Sequence, residues 1–282
     1  MSTNKITIKT EQDIKNLRES GHILAEALRL AVSYVRPNVT TNALDDVAHD
    51  YIISHAGAVP AFLGYQPYGA DFPFPATLCI SINDAIVHGI PDEYMLQVGD
   101  IVSLDGGVKY KDMISDAAVS VIVTDTGCTT IIDILNKIKI GEENNKKTED
   151  VLDKKEKLLY ITYKSMMEGI KAACVGRHVE SISRAIAKEI PKEYGVVKIF
   201  TGHGVGYHVH EEPYVPNYID GVKGPIMKSG LVLAIEPMIT LGTDEVDFLD
   251  DGYTAVTSDG SLAAHFEHTI VVTERGGEIL TM

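Results

Sequence analysis

Two glutamates sit where a chain rarely leaves a charge. Glu236 lies in the apolar run LVLAIEPM (231–238) and Glu267 in AAHFEHTIVV (263–272). A carboxylate inside an apolar strand is retained when something pairs with it or binds it. Two aspartates keep similar company: Asp105 follows Ile101, Val102 and Leu104, and Asp116 precedes Val119, Val121, Ile122 and Val123. The stretch holding them, GDIVSLDGGVKYKDMISDAAVS (99–120), reads as a β-hairpin. With its turn centred between Tyr110 and Lys111, the two aspartates become directly opposed, their Cβ atoms about 5 Å apart. Taken singly, these acids also read as solvated strand-face or satisfied core carboxylates. Taken together on one sheet, four negative charges call for about four positive ones, which two divalent cations supply. His203, flanked by glycines in GHGVG (202–206), offers an imidazole as a fifth ligand.

Such a set points to hydrolysis. Two cations about 3.5–4 Å apart share a water and lower its pKa towards neutrality, polarise a carbonyl and can anchor an amine. His88 and His210 are left without a ligand role, and neutral imidazoles there suit hydrogen bonding to an oxyanion or a departing nitrogen. His208, His265 and His268 read as ordinary surface or core residues. GHGVG lacks the spacing of a dinucleotide fingerprint.

The elements that must position these groups follow from periodicity. Thr10 and Asp13 resemble a capping box, and Ile14, Leu17, Leu24, Leu28, Val32 and Val35 recur at helical spacing up to Pro37. A second helix runs through Leu44, Val47, Ala48, Tyr51 and Ile52 to Gly57. Residues 57–62 read as extended, 63–75 as loop, and 77–87 as a strand delivering His88 into a turn. Further on, 131–140 reads as a short helix and 141–150 as a charged break, then 157–173 and 179–190 as helices. Strands at 231–239, 253–256 and 263–272 read as an antiparallel meander. The chain echoes itself: helix, helix, extended segment (Gly57-x-Val59-x-x-Phe62, then Gly195-x-Val197-x-x-Phe200) and a His-Gly turn (His88-Gly89, then His203-Gly204). Two such α+β halves place a site at their seam.

The 282 residues suffice for a large core, and a net charge of -15 disfavours nucleic acid as a partner. Cys79, Cys128 and Cys174, odd in number and widely spaced, fit a reducing cytoplasm better than a disulfide framework. Neither a signal peptide's apolar core at 1–20 nor a membrane-length run is present in the sequence.

With these residues assembled, the chain resembles the type I methionine aminopeptidases of the two-metal pita-bread family. The resemblance is carried by NDAIVHGIPD (83–92), GDIVSLDGG (99–107) with Asp116 eleven residues beyond Asp105, TGHGVGYHVHEEPYVPNY (201–218), LAIEPM (233–238) and FEHTIVVT (266–273). It spans essentially the whole chain. It implies an α+β fold, pseudo-two-fold duplicated, with an antiparallel sheet flanked by helices, as one catalytic domain over 1–282. It implies Asp105, Asp116, His203, Glu236 and Glu267 as ligands of two divalent ions (Co, Mn, Fe or Zn), with Asp116 and Glu267 bridging and Glu236 also handling protons. His88 and His210 would act on the substrate amide, and Tyr65, Cys79 and Tyr253 match positions of the pocket for a methionine side chain. The expected reaction is removal of the initiator methionine from nascent polypeptides by a cytoplasmic monomer. The chain departs from relatives in DMISDAA around Asp116, where they carry a Gly-aromatic lead-in and a following Thr. It also has a longer loop at 62–75 and an apparent insertion around 125–155, read as a solvated excursion or a dock for the ribosome. A proline-directed peptidase, or a non-catalytic binding protein on the same fold, is the alternative.

Overall fold

The computed structural model describes residues 6–67, 69–144 and 146–282. Residues 1–5 of the leader reading, Tyr68 of the loop reading and Asn145 of the charged break lie outside them. The first half runs α1 (Glu11–Tyr34), α2 (Thr41–Ile53), β1 (Val59–Pro60), β2 (Leu78–Ile82), β3 (Ala85–Val87), β4 (Ile101–Tyr110) and β5 (Met113–Val123). A connection of β6 (Cys128–Thr129), α3 (Ile131–Glu143) and α4 (Thr148–Val151) leads to the second half. There follow α5 (Lys154–Ala172), α6 (Glu180–Glu189), β7 (Gly195–Val196), β8 (Gly202–Gly204), β9 (Glu211–Val215), β10 (Val232–Ile235) and β11 (Met238–Thr240). The chain closes with β12 (Val246–Phe248), β13 (Ala255–Thr257), β14 (Ala263–His265), β15 (Glu267–Thr273) and β16 (Gly276–Ile279).

The main sheet has the order β1-β4-β5-β15-β10-β8-β9, with β2 also paired to β4. The duplication is visible in it. The pair β4–β5 with β2 outside mirrors β10–β15 with β8 outside, and the halves meet where β5 pairs antiparallel with β15. Leu24, Ala27 and Leu28 of α1 pack in one core with Val102, Leu104 and Val108 of β4 and Ala117 and Val121 of β5. Leu159, Met166 and Ile170 of α5 pack with Leu233 and Ile235 of β10 and Ile270 and Val272 of β15. Strand side chains alternate faces. Asp105, Asp116, Glu236 and Glu267 therefore all take the face turned away from those helices.

Thr10 caps α1 as the sequence predicts, its hydroxyl accepting from Asp13 N–H while the Asp13 carboxylate accepts from Thr10 N–H. Four expectations need correction. The 125–155 segment is no solvated excursion: α3 and α4 run into the expected break at 141–150, and Ile134, Ile138 and Leu152 are buried in the core of α5, β10 and β15. The hairpin turn is centred one residue later: Tyr110 pairs with Met113, and Lys111 and Asp112 both have positive φ (49° and 61°), as a two-residue type I′ turn requires. Asp105 thus faces Ala118, and Gly107 faces Asp116. Moving the centre by one residue shifts the pairing by two, so both aspartates keep a common face. They are diagonal neighbours, a relation of about 7–8 Å in a sheet, with more room between them than directly opposed residues have.

The strand at 77–87 is two, broken at Asn83 (φ 57°), with β2 on β4 and β3 on β13. The meander is also absent. The 231–239 run breaks at Glu236-Pro237, where proline cannot donate to a ladder, and 263–272 breaks at Phe266. Beyond these breaks β11 and β14 pair with each other, β11 with β7, and β13 joins β3 and β12. Both glutamates stand where a strand leaves one sheet for another.

Candidate active site

Five adjacent strands of the main sheet, in the order β4, β5, β15, β10, β8, bring Asp105, Asp116, Glu267, Glu236 and His203 to one place. Glu236 follows the last residue of β10, and its carbonyl accepts the Asn217 side-chain amide at 3.1 Å. Asp116 is held from the other half: its N–H donates to Thr269 Oγ1 (2.9 Å), and that hydroxyl donates to Asp116 O (2.7 Å). This is the support for Asp116 that DMISDAA alone leaves unspecified.

All five side chains are buried. Asp105 Oδ1, Asp116 Oδ1 and Glu267 Oε1 have no hydrogen-bond partner. His203 Nδ1 donates to Gly204 O at 2.9 Å, since a carbonyl only accepts, so in the neutral ring Nε2 turns its lone pair inward. It faces Glu236 Oε1 at 3.1 Å, without the geometry of a hydrogen bond. Burial lifts the carboxyls of Asp105, Asp116 and Glu267 well above the ordinary carboxylate range, and repulsion among the four acids adds to it. Burial also raises Glu236, against the pull of His203. Burial opposes charging of His203, but Glu236 outweighs it and leaves the imidazole above its ordinary value.

A buried ring of acceptors facing one another fits hard divalent cations, which take carboxylate oxygens and an imidazole. Among the described residues, ligand atoms of Asp116, His203 and Glu267 lie within 4.8 Å of one another.

Above this floor is a cavity of about 140 Å³. Every residue singled out in the sequence lines it: the five acceptors, His88 and His210, and Tyr65, Cys79 and Tyr253. Phe62, Pro67, Phe74 and Val209 complete the wall. Phe62 closes the first copy of the repeated Gly-x-Val-x-x-Phe pattern and Val209 lies in the 201–218 stretch, but no spacing assigns any of the four to the pocket, because they come from irregular segments and meet only in three dimensions. Tyr253 sits edge-on to Phe72 and Phe74 (5.3 and 5.2 Å) and donates its hydroxyl to Phe72 O, which ties the 62–75 loop down.

The two histidines stand on turns. His88 has φ 63°, a left-handed conformation uncommon outside glycine that asparagine, aspartate and histidine adopt more readily than other side chains. The next residue, Gly89, accepts the Ile80 N–H on its carbonyl at 2.8 Å, and a Cβ there would lie 2.3 Å from Ile80 O. The His88 ring packs edge-on to Phe200 at 5.1 Å, and burial pushes its pKa down to about 4. His210 Nδ1 is 3.0 Å from Tyr65 OH. Burial, with His203 and His88 nearby, pushes its pKa down to about 3. Both are neutral near pH 7.

His265, an ordinary residue by sequence, also belongs here. Its Nε2 is 3.8 Å from Glu236 Oε2, neither ring nitrogen has a hydrogen-bond partner, and burial followed by His88 pushes its pKa down to about 3.

Strand-borne acids that demand cations, beneath a pocket edged by neutral imidazoles, define a metal-dependent hydrolase. The chain belongs to metallopeptidase family M24, which it matches over residues 15–274. It is 40% identical to a methionine aminopeptidase of Clostridium perfringens over 278 residues, 98% of this chain and 99% of that protein. It is similar to the crystal structure of methionine aminopeptidase from Rickettsia prowazekii, with TM-score 0.83, 36% identity and coverage of 99% of this chain and 100% of that one. Prolidase from Pyrococcus furiosus shares the fold at TM-score 0.68 and 19% identity, and this chain covers 66% of its length.

Proposed function

We propose that the chain removes the initiator methionine from the free N-terminus of nascent proteins and peptides. The observation that carries this reading is the join of two surfaces in one cavity: a floor of partnerless buried acceptors, and an apolar cup of Phe62, Tyr65, Phe74, Cys79 and Tyr253 beside it. Full-length likeness to methionine aminopeptidases on both sides of the alignment supports it.

Asp105, Asp116, His203, Glu236 and Glu267 would hold the divalent ions, which when bound supply Lewis acidity and a water of lowered pKa. The chain's own groups do the rest. The aromatic cup receives an unbranched thioether, which adapts to irregular apolar walls. Glu236 takes the proton of the attacking water on its carboxylate and returns it to the departing amine. His88 and His210, neutral because burial has lowered their pKa to about 4 and about 3, donate hydrogen bonds to the scissile carbonyl oxygen and leaving nitrogen without adding charge.

We place this activity in the cytoplasm, acting on N-termini of newly made chains, with the monomer as the working unit. Three free cysteines and the lack, among the described residues, of a helix long and apolar enough to cross a membrane are consistent with that place.

The test is initial-rate cleavage of Met-Ala-Ser beside Leu-Ala-Ser and Ala-Pro peptides by chelator-stripped protein titrated with Mn, Co, Fe and Zn. Metal-dependent release of methionine alone is expected. Preferential cleavage of Ala-Pro would instead assign the chain to the proline-directed branch, and stoichiometric metal without cleavage of any peptide would make it a binding protein.

A further inference from the structure

Lys9 is 4% exposed, an unusual burial for a lysine on a segment that precedes the first helix. Its ammonium lies 2.5 Å from Glu211 Oε2 and 2.7 Å from Thr7 Oγ1, and 4.9 Å over the Tyr207 ring. The Thr7 hydroxyl donates to the same Glu211 oxygen. The other oxygen, Oε1, accepts the backbone N–H of Tyr207 at 2.6 Å and of His208 at 3.1 Å. Burial pulls Lys9 below its ordinary pKa. Burial alone would lift Glu211, but hydrogen bonds from Lys9 and Thr7 outweigh it and hold that carboxyl below its ordinary range.

The strap carrying Lys9 is itself fixed. Lys9 N–H donates to Gly230 O at 2.8 Å, Ile8 bridges to Leu231, and Asp13 in the first turn of α1 accepts the Tyr207 hydroxyl at 2.7 Å. Gly206 makes the approach feasible: its φ is +138°, and a Cβ there would lie 2.5 Å from Lys9 Cε.

The segment so gripped is the connection between β8, which carries His203, and β9, which opens at Glu211. His210 is its last residue. A connection of this kind has few ladder bonds to fix it, so the carboxylate folding back onto the Tyr207 and His208 amides does that work, and it stays seated only while its charge is matched.

We propose that Lys9 and Glu211 form an ionic clamp through which the N-terminal strap positions His210 over the substrate. The inference rests on the reading of His210 as a substrate-facing group. Lys9 does not line the cavity and is a positioning residue, acting through Glu211.

The experiment compares wild type, Lys9→Met and Lys9→Met/Glu211→Gln as full chains loaded with Mn, on Met-Ala-Ser, with metal stoichiometry and amide hydrogen exchange alongside. If wild type itself releases no methionine, the functional reading fails, while exchange and stoichiometry still judge the clamp. For Lys9→Met, kcat should fall about tenfold with KM nearly unchanged, as for a group displaced by a fraction of an ångström. Bound Mn should equal that of wild type, and the Tyr207 and His208 amides should exchange faster while β4 and β5 do not change. The double variant should regain most of the lost kcat, because glutamine keeps an acceptor for both amides and leaves no buried charge unmatched. Wild-type kcat in Lys9→Met, loss of kcat in step with loss of Mn, or a double variant no better than the single would overturn the clamp. Should Lys9→Met fail to fold, Thr7→Val removes one hydroxyl from the same carboxylate. Faster exchange at Tyr207 and His208 supports the proposal, and unchanged exchange overturns it.

Discussion

The floor of the site and its wall are built by different means. Asp105, Asp116 and Glu267 are strand residues and Glu236 sits at a strand's end, so ladder register and the two-residue alternation of the pleat decide where they point. His88 and His210 sit on turns, and their placement depends on a positive φ, a glycine's close approach and side chains reaching across from other loops. A floor of this kind tolerates an unfavourable electrostatic state because the surrounding ladder cannot relax. A wall of this kind can be loosened without disturbing the floor.

The sharpest way to break the comparison is to change chemistry on the floor without changing its shape. Glu236→Gln keeps volume and the strand break but takes away the carboxylate proposed to carry the proton, and kcat should fall by about 10²–10⁴-fold. Circular dichroism should stay close to wild type, which separates lost chemistry from a lost fold. Turnover at the wild-type rate after metal loading would remove Glu236 from its role.

Asp116→Asn asks whether the floor stores repulsion. In the metal-free chain this carboxyl is raised by burial, then by Asp105 and Glu236. A folded-state pKa above the unfolded value of about 3.9 means that the folded chain binds more protons above that pH. Stability from this group is therefore lost as pH rises through the folded-state pKa. Asn cannot ionise, so chelator-stripped Asp116→Asn should melt higher than chelator-stripped wild type at pH 7–8. A shift of about 2–4 °C per kcal/mol is expected for a chain of this size class. The difference should shrink towards pH 4. With Mn present the order should reverse, because wild type gains more from the cation. Equal metal-induced shifts in both proteins would show that Asp116 faces no ion.

The same division explains what could be read from the sequence. Asp105, Asp116, Glu236 and Glu267 were legible because each interrupts an apolar pattern, and alternation of period two then assigns them a face even when the turn is misplaced by one residue. The hairpin centre at Lys111-Asp112 follows from side-chain preference, Tyr110 favouring strand and Asp112 favouring a turn, which equal spacing of the two aspartates from a turn overlooks. A meander is the simplest pairing of three neighbouring runs, but the breaks at Pro237 and Phe266 divert their strands into other sheets, an outcome set by long-range pairing. Phe62, Pro67, Phe74 and Val209 carry no local signal of a pocket role, since irregular segments advertise turn chemistry and not the partners that their side chains meet. His265 has no sequence signal for a related reason: a histidine two residues before a buried glutamate is ordinary by pattern, and only the course of β14 places its ring beside Glu236.

The smallest expected effect tests the wall alone. Tyr65 reaches from the 62–75 loop to within 3.0 Å of His210 Nδ1, the two rings lying 5.7 Å apart, while Thr269 and Asn217 hold the floor by separate bonds. If the tyrosine donates to Nδ1, it fixes the tautomer that leaves Nε2–H free for substrate. Tyr65→Phe keeps the ring and its share of the apolar cup and deletes only that bond, a net loss of about 0.5–1.5 kcal/mol. The expectation is a fall in kcat of about two- to tenfold, metal stoichiometry equal to wild type, and little change in KM because the cup is intact. A fall in bound metal instead would mean that wall and floor are coupled through His210 and His203, whose rings stand 4.5 Å apart, and that the division drawn between them is too clean.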